Sequence, residues 1–260
     1  MLAELVQLAP GGVEAEHGPG YVEYAIYGAE GELPTLPDLE AATGDELIKV
    51  SSSHVPDDWA DRWRDFHRPI LVADRLWVRP SWEPPREGAI DVVIDPGNAF
   101  GTGAHPTTRL CLELLCELGA RGEGRGSLVD LGTGSGVLAI AAAKLGWDPV
   151  IAVDHERAAL EATRANAAAN HVEVDARSGN LRSDPPPLAA TLVANLTAPL
   201  LRDLASRFGE AGRGPVRVAV CSGLLAAEVD EVAAGWEACG LGEGGRRAEG
   251  DWVALLLRAA

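Results

Sequence analysis

The stretch LVDLGTGSGVLAIAAAKLGWDPVIAVDHE, residues 128–156, places glycines at 132, 134 and 136 directly after an apolar run, with Asp130 just ahead of them. Asp154 closes a second apolar run, 22 residues beyond Gly132. Glycines let a ligand lie against backbone where a Cβ would collide. The start of the helix that follows favours negative charge, a carboxylate or a phosphate. An acid at the end of the next strand can accept from both hydroxyls of a ribose. The ligand that suits these residues therefore contains a ribose. The spacing is Gly-x-Gly-x-Gly with Val137 next, not the Gly-x-Gly-x-x-Gly of a dinucleotide turn, which disfavours a nicotinamide oxidoreductase.

Two further segments carry residue types that do chemistry. In NAFGTGAHPTTR, residues 98–109, Phe100 stands among glycines at 97, 101 and 103, followed by His105 and a Pro-Thr-Thr helix start. Pro106 suits a first helical turn, and a threonine hydroxyl there can cap the helix or face a ligand. The glycines suggest a loop that moves or lies close to something. In LVANLTAPLL, Asn195 follows a run that reads as a buried strand, and sites of parallel sheets gather at the carboxyl ends of strands.

These residues need a scaffold, and the pattern supplies one. Apolar strands at 127–131 and 149–153 alternate with helices at 136–145 and 156–169. AIDVVIDPG, HVEVDAR, TLVANL, VRVAVCSG and DWVALLLRA read as further strands. PTTRLCLELLCELGA, 198–208 and 225–239 read as helices. Strands alternating with helices imply a mostly parallel sheet covered on both faces. DPPPLA (184–189) and GEGGRR (242–247) read as loops. Ahead of residue 55, GYVEYAIYG and ELIKVSSSHV read as strands and PDLEAATG as a short helix, a small α+β unit. Pro56 and two aspartates then suit the start of a linker helix that Pro69 stops, with Trp59, Trp63 and Phe66 on one face. The expected division is 1–54 for the small domain, 55–69 for the linker helix and 70–260 for the α/β domain.

The 260 residues carry a formal net charge of −17, which argues against a nucleic-acid backbone as the main partner. Residues 1–70 hold 14 acids against four bases, which suits either solubility or the attraction of a basic partner. Cys111, Cys116, Cys221 and Cys239 form no Cys-x-x-Cys pair, so they read as reduced, mostly buried residues and no metal site is expected. No apolar run approaches the roughly 20 residues of a membrane span, and the first residues lack a signal-peptide pattern, so a cytoplasmic protein is expected.

VDLGTGSG resembles the first motif of the Rossmann-like S-adenosylmethionine-dependent methyltransferases. GNAFGTGAHPTT, VDLGTGSGVLAIAAAKLG and VANLTAPLL, in this order and preceded by DDWADRWRDFHRP, resemble the PrmA family, methyltransferases of large-subunit ribosomal protein eleven. The likeness runs from about residue 50 to the C-terminus. It implies a class I methyltransferase domain, a linker helix and a small N-terminal recognition domain. It also implies methyl transfer from S-adenosyl-L-methionine to lysine side chains and the N-terminal amine of that basic ribosomal protein. Thr108, Gly132, Gly134, Asp154 and Asn195 would bind the cofactor. Asn195, His105 and Phe100 would serve the acceptor, with His105 the candidate general base. A monomer is expected, with no direct nucleic-acid contact and no membrane. Asn98 and Ala104 depart from the family's usual residues in a loop that concerns substrate handling. Asn195-Leu-Thr-Ala is not the Asn-Pro-Pro-Tyr of enzymes that methylate planar amines, which argues for another acceptor. The family's first strand and most of its first helix have no counterpart, so either the start is misplaced or the recognition domain is shortened. The other readings are a methyltransferase of another protein or a small molecule, and a non-catalytic cofactor-binding factor.

Overall fold

The computed structural model describes residues 14–18, 21–25, 68–95, 103–211 and 214–259. The chain divides into two compact units, Met1–Ala60 and Asp61–Ala260. In the first, β1 (Glu14–Gly18) and β2 (Tyr21–Ala25) pair antiparallel, from Glu14↔Ala25 to Gly18↔Tyr21. β2 falls inside the run expected to be a strand. The expected helix in PDLEAATG, the strand in ELIKVSSSHV and the Trp59, Trp63, Phe66 stripe of the linker lie outside the described residues.

The second unit begins with a small sheet of β3 (Ile70–Val72), β4 (Leu76–Arg79) and β5 (Ile90–Val93), with β4 central. Helix α1 (Pro106–Ala120) follows, and then strands and helices alternate. They are β6 (Leu128–Leu131), α2 (Val137–Leu145), β7 (Val150–Asp154), α3 (Arg157–Ala169), β8 (Asp175–Ser178), β9 (Thr191–Asn195), α4 (Ala198–Ala211), β10 (Val218–Leu225), α5 (Val229–Ala238), β11 (Leu241–Glu249) and β12 (Trp252–Ala259). The sheet order is β11-β12-β10-β9-β6-β7-β8. β10, β9, β6, β7 and β8 run parallel, and β12 turns antiparallel against β10 and β11.

Alternation along the strands divides the core in two. Leu128, Val193, Val220 and Leu256 join the layer of α1 and α2, whereas Val129, Leu131, Leu192 and Leu255 join the layer of α4 and α5. β6 is buried along its whole length, as expected of a central parallel strand covered on both faces. α2, with the sequence VLAIAAAKL, is buried from Val137 to Ala142 and ends at Gly146 in a left-handed cap, φ +111°. Burial pushes the Cys111, Cys116 and Cys221 thiols above their ordinary range, so they act as packing groups.

Two expectations fail. GEGGRR does not form a loop: it lies inside β11, which pairs with β12 from Leu241↔Ala259 to Glu249↔Trp252, with a bulge between Glu243 and Gly245. Three glycines and two arginines have little intrinsic strand preference. The apolar β12 beside them supplies the pairing, and at a sheet edge their side chains can face outward. The strand expected from His171 begins only at Asp175, because His171 turns the chain out of α3 with φ +54°. Among the described residues no helix is long and apolar enough to cross a membrane.

Candidate functional site

The glycine turn leaves β6 and is held from below by β7. The amides of Gly132 and Thr133 donate to the carbonyl of Val153 at 2.8 and 3.1 Å. Gly132, Gly134 and Gly136 all take left-handed backbone angles, φ +76°, +53° and +84°, which a side chain would strain. The Gly134 amide donates to Asp154 Oδ2 at 3.0 Å, and the Glu156 amide donates to Asp154 Oδ1 at 3.0 Å. The acid and the turn are thus fixed to each other at the carboxyl ends of neighbouring strands. A carboxylate offers about four acceptor positions, so Asp154 keeps capacity for two hydroxyl donors.

Asp130, at the end of β6, is fully buried. Its Oδ2 accepts from the Thr133 hydroxyl at 2.6 Å, and its Oδ1 has no hydrogen-bond partner among the described residues. Burial pushes its pKa up to about 7; the Thr133 hydroxyl and the Ala139 amide pull the other way, and the Asp154 charge adds to the rise.

Asn195 closes β9, in register with Ser222 of β10. Its Nδ2 donates to the Thr108 hydroxyl at 3.2 Å, which joins the end of β9 to the first turn of α1. Leu196, the next residue, is seated between two glycines. A Cβ on Gly132 would lie 2.5 Å from Leu196 Cδ2, and one on Gly223 would lie 2.3 Å from the Leu196 carbonyl oxygen. The Leu196 amide donates to the Ser222 carbonyl at 2.9 Å.

His105 is the N-cap of α1. Its Nδ1 accepts from the Thr107 amide at 3.4 Å and lies 2.8 Å from the Thr107 hydroxyl. The ring stands edge-on to Trp252, with centroids 5.1 Å apart. Arg109 and Glu249 form an ion pair that ties α1 to the end of β11. Burial lowers the His105 pKa below its ordinary value, the Arg109 charge lowers it further and Glu249 opposes both. His105 is therefore neutral near pH 7. A neutral imidazole that uses Nδ1 as an acceptor carries its proton on Nε2.

The structure thus brings Thr108, Gly132, Gly134, Asp154 and Asn195 to one end of the sheet, with His105 at the head of α1. Phe100 lies outside the described residues. Sequence reasoning missed Leu196, Ser222, Thr163, Asn166 and Trp252. Only Trp252 left a trace, as an aromatic opening a strand after Gly250-Asp251. No group of three or more His, Cys, Asp or Glu among the described residues is placed to hold a metal ion.

This sheet, with its glycine turn and a carboxylate closing the adjoining strand, has the class I fold of S-adenosylmethionine-dependent methyltransferases. S-adenosyl-L-methionine is the cofactor of that class, and the residues fit it: a turn without Cβ atoms, and an Asp154 with open acceptor positions. Within the class, the chain belongs to the ribosomal protein L11 methyltransferase (PrmA) family, which it matches over residues 31–260. It is 40% identical over 206 residues to the ribosomal protein L11 methyltransferase of Symbiobacterium thermophilum, a match covering 77% of this chain and 65% of that protein. It is 47% identical over 180 residues to that of Shewanella piezotolerans, covering 68% of this chain and 60% of that protein. The match thus spans about two thirds or less of these relatives' length. Among solved structures it resembles a ribosomal protein L11 methylase from Lactobacillus delbrueckii subsp. bulgaricus, with a TM-score of 0.64 and 26% identity over 75% of this chain and 100% of that one.

Proposed function

We propose that this protein is an S-adenosylmethionine-dependent methyltransferase of ribosomal protein L11, acting on lysine side chains and on the N-terminal amine. The observation that carries the reading is the pairing of the Gly134–Asp154 unit with the Asn195–Thr108 contact at one end of the sheet. The first suits a ribose-bearing cofactor, and the second fixes an amide oxygen and nearby carbonyls where an amine can be oriented. The family match supports the acceptor.

Bound S-adenosylmethionine supplies a methyl carbon that its sulfonium has already made electrophilic. What remains for the chain is to hold a neutral amine in line with it, and positioning of this kind supplies most of the rate gain. A lysine amine with a reference pKa of about 10.4 is mostly protonated at neutral pH. The Asn195 side-chain oxygen and the carbonyls that follow it accept from the amine and orient it. His105, neutral because of burial and Arg109, is our assignment for the group that takes the proton, on Nδ1, which gives up its hydrogen bond from the Thr107 amide to do so. Phe100 is our assignment, from the sequence, for the apolar group that disfavours the charged amine. Asp154, Gly132, Gly134 and Thr108 hold the cofactor. The acidic N-terminal quarter, with 14 acids against four bases in residues 1–70, attracts the basic ribosomal protein. The protein works as a monomer in the cytoplasm, without nucleic acid or membrane.

The test offers methyl-labelled cofactor together with ribosomal protein L11, with other basic ribosomal proteins and with small amines. Label on L11 alone supports the reading. Label on another protein or a small amine assigns the same chemistry to a different acceptor.

A further inference from the structure

Three polar side chains on one face of α3 and its C-cap residue are buried in an otherwise apolar layer. Thr163, Asn166 and Asn170, at i, i+3 and i+7, are 0%, 5% and 4% exposed. A buried amide costs free energy unless its hydrogen bonds are made, and each of these side chains reaches a segment outside the helix. The Thr163 hydroxyl donates to the Gly134 carbonyl at 3.0 Å. Asn166 Nδ2 donates to the Ser135 carbonyl at 2.9 Å, so α3 grips two successive carbonyls of the glycine turn. On its other side, Asn166 Oδ1 accepts from the Asp95 amide at 3.3 Å. Asn170 holds Val93 by both of its backbone groups, accepting from the amide at 2.9 Å and donating to the carbonyl.

Asn166 is thus bonded both to the cofactor turn and to the chain leaving β5 at Asp95. Among the described residues the Asn170 side chain hydrogen-bonds Val93 of β5 and the Asn166 carbonyl. We propose that Asn166 is a positioning residue that couples the cofactor turn to the end of the small sheet at Asp95 through this one amide. It acts through Ser135 and Asp95 and touches no reacting atom. The inference rests on the cofactor reading above, because the coupling has a purpose only if the turn holds a ligand.

The test compares Asn166→Ala with Asn170→Ala in the full chain, with S-adenosylhomocysteine as the probe. Calorimetry reads affinity, and hydrogen exchange reads the Asp95 amide with and without the probe. Both variants lose stability, so stability does not discriminate between them. Asn166→Ala is expected to weaken binding about three- to tenfold, the effect of one lost buried hydrogen bond, and to abolish the slowing of Asp95 exchange that the probe causes in the wild type. Asn170→Ala is expected to bind within about twofold of the wild type, since its contacts stop short of the turn. Should the alanine variant fail to fold, Asn166→Ser keeps a polar group in the pocket and gives the same split. A wild type that binds, together with two variants that lose affinity alike or not at all, overturns this inference alone. A wild type that binds no S-adenosylhomocysteine overturns the cofactor reading and this inference with it.

Discussion

The backbone amide of Gly134 donates to the side chain of Asp154 across 3.0 Å, so the turn that follows β6 and the acid that ends β7 form one hydrogen-bonded unit. Neither residue alone defines a ligand. Held together, they set a bare backbone beside a carboxylate at a fixed separation.

Asp154→Ala removes that carboxylate. Loss of charge-assisted hydrogen bonds costs about 1.5–3 kcal/mol, so S-adenosylhomocysteine should bind roughly tenfold to a hundredfold more weakly. Calorimetry checks this, and unchanged affinity would remove Asp154 from the ribose site.

The two glycines around Leu196 should differ in how they tolerate a methyl group. Gly132→Ala strains a left-handed residue and meets a movable side-chain atom, a loss of about 2–5 kcal/mol by summing the two effects. Gly223→Ala meets the Leu196 backbone oxygen, which cannot step aside. Urea unfolding should therefore rank Gly223→Ala as the more damaging change. Leu196→Ala should recover part of the loss in Gly132→Ala and none in Gly223→Ala. Equal rescue of both would contradict the packing described.

Asp130 should make the unliganded protein less stable as pH rises. Its folded pKa, about 7, stands above the ordinary 3.8, so the folded state holds the proton more tightly than the unfolded chain does. Stability from this group is full below about 4 and declines between about 4 and 7. The slope is at most about 1.4 kcal/mol per pH unit. Asp130→Asn should flatten that part of the profile, and identical slopes in variant and wild type would show that the carboxyl is not perturbed.

His105 carries two expectations, both resting on the lone pair of Nδ1. As an N-cap, its replacement by alanine should cost about 1 kcal/mol of stability. As the proposed proton acceptor, it should give the pH–rate profile an acidic limb below the ordinary histidine value of 6.5, because its folded pKa is lowered. The depressed pKa also means that its contribution to stability is present above the unfolded value and is lost as pH falls. A limb that persists in His105→Ala belongs to another group.

Much of this arrangement was legible in the sequence because it is local. Pro106–Ala120 is the helix that its Pro-Thr-Thr start and apolar spacing predict, and the turn at 132–136 falls where the glycines put it. Strand β11 was illegible because its glycines and arginines hold no strand signal of their own; the signal lies in β12, which pairs with it. β3 and β4, three and four residues long, are too short for a period to show. The role of His105 as cap was also hidden. A threonine hydroxyl is the usual candidate, yet the Thr108 hydroxyl faces Asn195, 87 positions away. Thr163 and Asn166 lie in the helix expected at 156–169 without any signal of their own, since nothing in their spacing shows that the glycine turn lies against them. Convergence of distant strand ends is a property of the sheet order, which no local pattern carries.

The central claim, methyl transfer to one ribosomal protein, is tested most directly by intact mass spectrometry. Purified protein, S-adenosylmethionine and ribosomal protein L11 from the same organism are mixed, and the L11 is weighed. The expected result is a gain in steps of one methyl group, slowed at limiting cofactor when Asp154 is replaced by alanine. An L11 mass that stays unchanged, while the protein still binds S-adenosylhomocysteine, would contradict the acceptor and leave the cofactor site standing.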